Sequence, residues 1–201
     1  MIHFQVRDLL SLLFYRLLGR VFRAFAAFGR GVRLERPLHI VGARHIHFGD
    51  RVAVQNGAYL NAATLRGSVP AIVFGNDAQI GHHVHIVCSD RVEIAERVLM
   101  ADRVFIADCG HAYADPRRAI VDQELVQLAP VMIGAGSWIG ENACIIGCRI
   151  GENCVIAANS VVTRDIPDRT VAAGAPARPI RRWCDRREAW IRTDAAGAFV
   201  E

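Results

Sequence analysis

Residues 133–144 read Ile133-Gly134-Ala135-Gly136-Ser137-Trp138, then Ile139-Gly140-Glu141-Asn142-Ala143-Cys144. Both halves follow one rule: an aliphatic residue, a small one, two mostly polar ones, a small or β-branched one, and a free position. After Ile145 the frame resumes as Ile150-Gly151-Glu152-Asn153-Cys154-Val155 and Ile156-Ala157-Ala158-Asn159-Ser160-Val161. Upstream, the aliphatic position is held by Phe48, Val54, Leu60, Phe74, Ile80, Ile86, Ile94, Met100 and Ile106. Four residues after these come Val52, Ala58, Thr64, Ala78, Val84, Val98, Val104 and Gly110, with Asp90 and Arg149 standing there just before the frame slips. Aliphatics spaced by six fall on different faces of an α-helix, so the period is not helical. Short strands with tight turns fit it: each unit is one side of a prism, and three sides make a coil of roughly eighteen residues. The chain is therefore expected to be all-β, a parallel β-helix whose coils hydrogen-bond to one another.

Working outward, the frame slips between Ile86 and Ile94 and between Ile145 and Ile150, as a bulge or corner adjustment would make it. It breaks over residues 66–72 and, for longer, over 112–130, where Pro116 and a charged run stand. Long loops between regular elements usually carry function. The stretch 183–193 reads as a short helix covering the open end of the stack, which would otherwise leave a bare sheet edge.

The 201 residues suit one domain with a sizeable core, and 52% hydrophobic with 22% charged residues is a globular composition. All 24 basic residues are arginine, which reflects genome composition, and the net charge of +4 favours an acidic ligand such as a phosphate. Much of that charge lies at the two ends, which argues against a nucleic-acid stripe. The six cysteines form no CxxC pair, and Cys144, Cys148 and Cys154 fall inside the repeat, so reduced packing residues in a cytoplasmic protein are expected. Leu9 to Phe28 is apolar but interrupted by Arg16, Arg20 and Arg23, a poor transmembrane span and a poor signal peptide. Arg16, Arg20, Arg23 and Arg30 would share one helical face. That suits a helix at the inner surface of the cytoplasmic membrane, and equally one packed across the β-helix or a neighbouring subunit.

The long loop opens Asp108-Cys109-Gly110-His111-Ala112-Tyr113-Ala114-Asp115-Pro116, and the chain continues through Trp138-Ile139-Gly140, Thr163-Arg164-Asp165-Ile166-Pro167 and Gly174-Ala175-Pro176-Ala177-Arg178-Pro179-Ile180-Arg181. This ordered set resembles the hexapeptide-repeat acyltransferases over roughly residues 40–182. The similarity is greatest to sugar and polysaccharide O-acetyltransferases, beside galactoside, maltose and xenobiotic acetyltransferases. The resemblance implies a left-handed β-helix, a homotrimer with active sites between subunits, His111 as general base, and acetyl-CoA as acyl donor. Ala158, Thr163, Arg164 and Arg181 match the usual coenzyme contacts. On this reading residues 1–36 form an amphipathic helical segment and 37–182 the acyltransferase domain with an acceptor loop at 107–130. Residues 183–201 form the C-terminal helix and tail.

The chemistry agrees with that reading on its own terms. Transfer from a thioester to a hydroxyl needs a base titrating near neutrality, which imidazole supplies. No serine or cysteine nucleophile stands in a recognisable motif, so direct transfer is expected. Asp108 is a candidate to orient the His111 ring, and Tyr113, Asp115 and an outward-facing Trp138 are candidates for the acceptor, a sugar or glycan. His39, His45, His47, His82, His83 and His85 raise a second class, a zinc hydratase like the γ-carbonic anhydrases. The His-x4-His pair such a site needs is not found, and no metal is expected. A non-catalytic scaffold is a third class. N-acetylation of an amino sugar or acylation of a xenobiotic would use the same machinery.

Overall fold

The computed structural model describes residues 6–21 and 23–200. Three parallel sheets run the length of the stack as the faces of a prism. Face A carries Ala27–Phe28, Ile46–Phe48, Ala71–Phe74, Arg91–Ile94, Val131–Ile133 and Arg149–Ile150. Face B carries Arg33–Leu34, Ala53–Val54, Gln79–Ile80, Leu99–Met100, Trp138–Ile139, Val155–Ile156 and Thr170–Gly174. Face C carries His39–Val41, Tyr59–Ala62, His85–Cys88, Phe105–Ala107, Cys144–Ile146 and Val161–Val162.

The register explains the repeat. On face A, Phe28 pairs with Phe48, Phe48 with Phe74, Phe74 with Ile94, Ile94 with Ile133 and Ile133 with Ile150. The aliphatic position of each unit thus stands over its counterpart one coil away. Three such columns, one per face, fill the prism, and nearly every member is fully buried. The Phe48 and Phe74 rings stack at 5.1 Å, almost parallel. The position four residues on is also inward: Val52, Ala58, Ala78, Val84, Val98, Val104, Ser137, Ala143, Cys154 and Ser160 are buried.

The small position after each aliphatic has a steric cause. A Cβ on Gly140 would lie 2.5 Å from the Ala158 nitrogen, and one on Gly134 would lie 2.5 Å from the Gly151 carbonyl carbon. The next coil passes too close for a side chain. The corners turn through the left-handed region, with φ of 58° at Asn142 and 51° at Asn153, a conformation asparagine tolerates better than most residues.

Four expectations need correction. Thr64 is exposed and Gly110 lies on a hairpin, so the frame ends at Ala62 and Ala107 before those two insertions. Cys144 is an outward residue of face C, whereas Cys148 and Cys154 are buried; all six cysteines are free. The helix, Val6–Arg20 (α1), ends before Arg23 and Arg30, and the first coil begins at Ala27 rather than after residue 36. Residues 183–193 are not helical: Ala177–Cys184 and Ala189–Arg192 form antiparallel strands that extend face B beyond Thr170–Gly174. The exposed edge of that strand offers unpaired backbone groups, and a returning hairpin satisfies them where a helix would not.

At the opposite end α1 closes the stack. Leu12 is buried, Tyr15 packs against the core, and the Ser11 hydroxyl accepts the Arg36 N–H at 2.9 Å. Gly19 leaves room for the Phe28 ring, which a Cβ would meet at 2.4 Å.

Candidate active site

Both insertions leave the prism at one edge, where face C turns to face A. The first, between Ala62 and Ala71, and the second, between Ala107 and Val131, meet through an Arg66–Glu124 ion pair. The second insertion is an ordered hairpin: Cys109–His111 pairs antiparallel with Leu125–Gln127, with His111 opposite Leu125. The Ala112 N–H continues it to the Glu124 carbonyl at 2.8 Å.

Asp108 anchors the base of this hairpin. It is fully buried. Its Oδ1 accepts the Ser89 N–H at 2.7 Å and the Ser89 hydroxyl at 3.1 Å, and its Oδ2 accepts the Asp90 and Arg91 N–H groups at 2.8 Å each. The Gln127 amide donates to the Asp108 carbonyl at 2.8 Å, while its oxygen, 2.7 Å from the Ser89 hydroxyl, shares that single proton with Asp108 Oδ1. Asp108 and Gln127 thus tie both hairpin strands to the corner of the coil beneath. The Cys88 thiol faces the same carboxylate at 3.6 Å. Burial, with the Asp108 charge added, pushes it up to about 12, so it stays protonated.

The expectation that Asp108 orients the His111 ring is therefore not met. Residues three apart in an extended chain point to opposite sides, and the Asp108 oxygens are engaged inward. His111 is exposed, and its ring has no hydrogen-bond partner among the described residues. Tyr113 is 81% exposed. Asp115 is engaged within the loop: its carboxylate accepts the Arg117 N–H and Nε–H at 3.0 Å each. The Arg117 guanidinium and backbone N–H hold its pKa below the usual carboxylate range.

The other expected residues lie elsewhere. Trp138 points out of face B, half-exposed between Leu99 and Val155. Face B lies across the prism from the edge that bears the His111 hairpin, so one chain does not bring His111 and Trp138 together. Ala158 is exposed at the B-to-C corner over Gly140. Thr163 and Arg164 are exposed on the same edge as the hairpin, two coils farther along. Arg181 is exposed on the terminal hairpin opposite Val171. The anchoring pair Ser89 and Gln127 carries no sequence signal: Ser89 fills a polar position of the Ile86 unit, and Gln127 stands in no motif.

The remaining histidines have local places. His39 stacks on Tyr59 at 4.7 Å, and Tyr59 lies 4.3 Å from His85, which meets Phe105 edge-on. His82 Nδ1 lies 3.2 Å from Asp102 Oδ1, and His45 accepts from Arg44. Among the described residues no three His, Cys, Asp or Glu side chains gather as a metal site.

Comparison with known proteins agrees with this architecture. Residues 130–164 match the family described as the hexapeptide repeat of succinyl-transferase. The chain is 34% identical over 171 residues to an Escherichia coli protein named as a lipopolysaccharide biosynthesis O-acetyl transferase, WbbJ; the match covers 81% of this chain and 85% of that protein. It belongs to the hexapeptide-repeat acyltransferases. This acyltransferase is accordingly a left-handed β-helix. It also resembles a galactoside acetyltransferase solved with coenzyme A, at 28% identity and a TM-score of 0.58, over 99% of this chain and 82% of the other. A hexapeptide-repeat acetyltransferase of Vibrio cholerae solved with acetyl-coenzyme A aligns at 25% identity and a TM-score of 0.60, over 85% and 76% of the two chains.

Proposed function

We propose that this acyltransferase moves an acetyl group from acetyl-CoA to a hydroxyl of a sugar or glycan precursor, with His111 as general base. The observation that carries this reading is the placement of His111: an exposed imidazole on a hairpin whose base is fixed by a buried carboxylate. His111 takes the proton of the acceptor hydroxyl as its oxygen attacks the thioester carbonyl. A backbone N–H stabilises the tetrahedral oxyanion. The intermediate collapses, the C–S bond breaks, and the imidazolium returns the proton to the departing thiolate, so no covalent enzyme intermediate is needed.

The working unit is a homotrimer on this reading. One chain presents His111 on one side of the prism and Trp138 on the other. A neighbouring subunit's face B therefore supplies the second wall of the site, with Trp138 for the acceptor ring. Arg164 and Arg181 supply cations for the donor's phosphates. The similarity to O-acetyl transferases supports transfer to oxygen.

The test is thiol release from acetyl-CoA across a panel of sugars and nucleotide-linked sugars, with the product identified by mass. Acceptor-dependent release with O-acetyl product supports the proposal. Release only with amino sugars would reassign it to N-acetylation. Stoichiometric tightly bound zinc without release would move it to the hydratase class.

A further inference from the structure

Helix α1 is apolar on two opposite faces, and the stack uses only one of them. At about 100° per residue, Ser11, Leu12, Tyr15 and Gly19 share one arc, the one that closes the end of the prism. Leu9, Leu10, Leu13, Phe14 and Leu17 lie on the opposite arc, exposed by 50, 61, 53, 54 and 48%. Val21, just past the helix, is 64% exposed. Because Tyr15 packs into the core end, the second arc points away from the stack along its axis. Among the described residues no helix is long and apolar enough to cross a membrane. A contiguous exposed patch of this kind marks an interaction surface rather than an ordinary solvated face.

Charge decides between occupants. Residues 6–45, which span the helix and the first coil, hold eight arginines and two acids, Asp8 and Glu35. Arg16, Arg23, Arg30 and Arg33 are exposed around this end, and Glu35 is half-buried. A second copy of the same surface would set arginines against arginines, an arrangement that disfavours association. An anionic bilayer supplies both what the leucines need and what the arginines need: acyl chains below and phosphates at the level of the guanidinium groups.

We propose that α1 is an interfacial anchor that lays the end of the β-helix on an anionic phospholipid surface. Successive coils lie about 4.8 Å apart. The His111 hairpin, which leaves after the fourth coil, then stands roughly 14 Å from the first. Anchoring would hold the active site close to the bilayer, within reach of acceptors displayed there. This inference is independent of the assignment of the acceptor.

The experiment is co-sedimentation of the full chain with large unilamellar vesicles. One set is pure phosphatidylcholine, and the other is roughly equal phosphatidylcholine and phosphatidylglycerol. The expected result is at least roughly tenfold stronger binding to the anionic set, weakened by added salt. The double variant Leu10→Glu, Phe14→Glu should lose binding while keeping the melting temperature and the sedimentation velocity of the parent. Wild-type protein that stays in the supernatant with both lipids would overturn the proposal. So would a double variant that still pellets, or one that falls to a smaller species, which would show the face to be covered by another copy.

Discussion

Replacing Asp108 with alanine should weaken the whole protein as well as its activity. The carboxylate accepts three backbone N–H groups and one hydroxyl from Ser89, Asp90 and Arg91. Hydrogen bonds to a charged group contribute about 1.5–3 kcal/mol each. They do not add fully here: Ser89 is buried, but Asp90 is only half-buried and Arg91 is exposed, so water can reach part of what alanine abandons. The expected loss is roughly 3–5 kcal/mol, the range for removing one partner of a buried charged network. Asp108→Asn keeps one oxygen for Ser89 and turns an NH₂ toward the other two donors, and should cost about 2 kcal/mol. Urea unfolding with linear extrapolation reads both values. Turnover should fall with them, since the hairpin bearing His111 loses its footing. The opposite pattern would refute the reasoning: an Asp108→Ala protein within about 0.5 kcal/mol of the parent, but with a displaced pH profile of kcat/KM, would mean that Asp108 acts on the imidazole.

Three further outcomes follow from the same geometry. Gly140→Val drives side-chain atoms into the Ala158 backbone, 2.5 Å from where the Cβ would sit. It should cost about 3 kcal/mol or abolish soluble expression, whereas Gly67→Val, in open space but at a positive φ, should lose about 1 kcal/mol, both read by urea unfolding. Burial holds the His85 imidazole below its ordinary value, so the unfolded chain binds its proton more readily than the folded one. Its contribution is therefore complete above about pH 6.5 and declines as pH falls through that value; His85→Gln should flatten the fall in melting temperature between pH 7.5 and 5.5, roughly the window in which histidine titrates. Arg181→Ala should raise KM for acetyl-CoA with little change in kcat, and an unchanged KM would remove Arg181 from the donor site.

The repeat made the fold legible because one geometric rule applies in every coil. Each aliphatic predicted to face inward, from Phe48 to Ile156, does so. What the rule could not show was where it stops. Thr64 and Gly110 occupy the right spacing, but the chain has already left the prism, and spacing alone does not distinguish a corner from the start of an insertion. The terminal hairpin has no local signature, because Trp183 to Thr193 is short and charged. Its strands are fixed by the exposed edge of Thr170–Gly174, a tertiary demand that no local pattern carries. His111 was recognisable from the motif around it. Its support was not: Asp108 is adjacent in sequence but turned inward, and Ser89 and Gln127 reach it from nineteen residues away on either side. The helix offered two readings, a packed element or a surface one, and the structure shows why both patterns were present. One face of α1 closes the stack and the other is left exposed.

The most direct measurement is acetyl transfer by the wild-type protein and by His111→Ala, with one accepted sugar and acetyl-CoA, followed by thiol release and product mass. A general base contributes roughly 10²–10⁴ in rate, so kcat should fall by that factor while donor binding, measured separately by calorimetry, stays unchanged. A His111→Ala protein that transfers acetyl groups at the parental rate would contradict the mechanism outright.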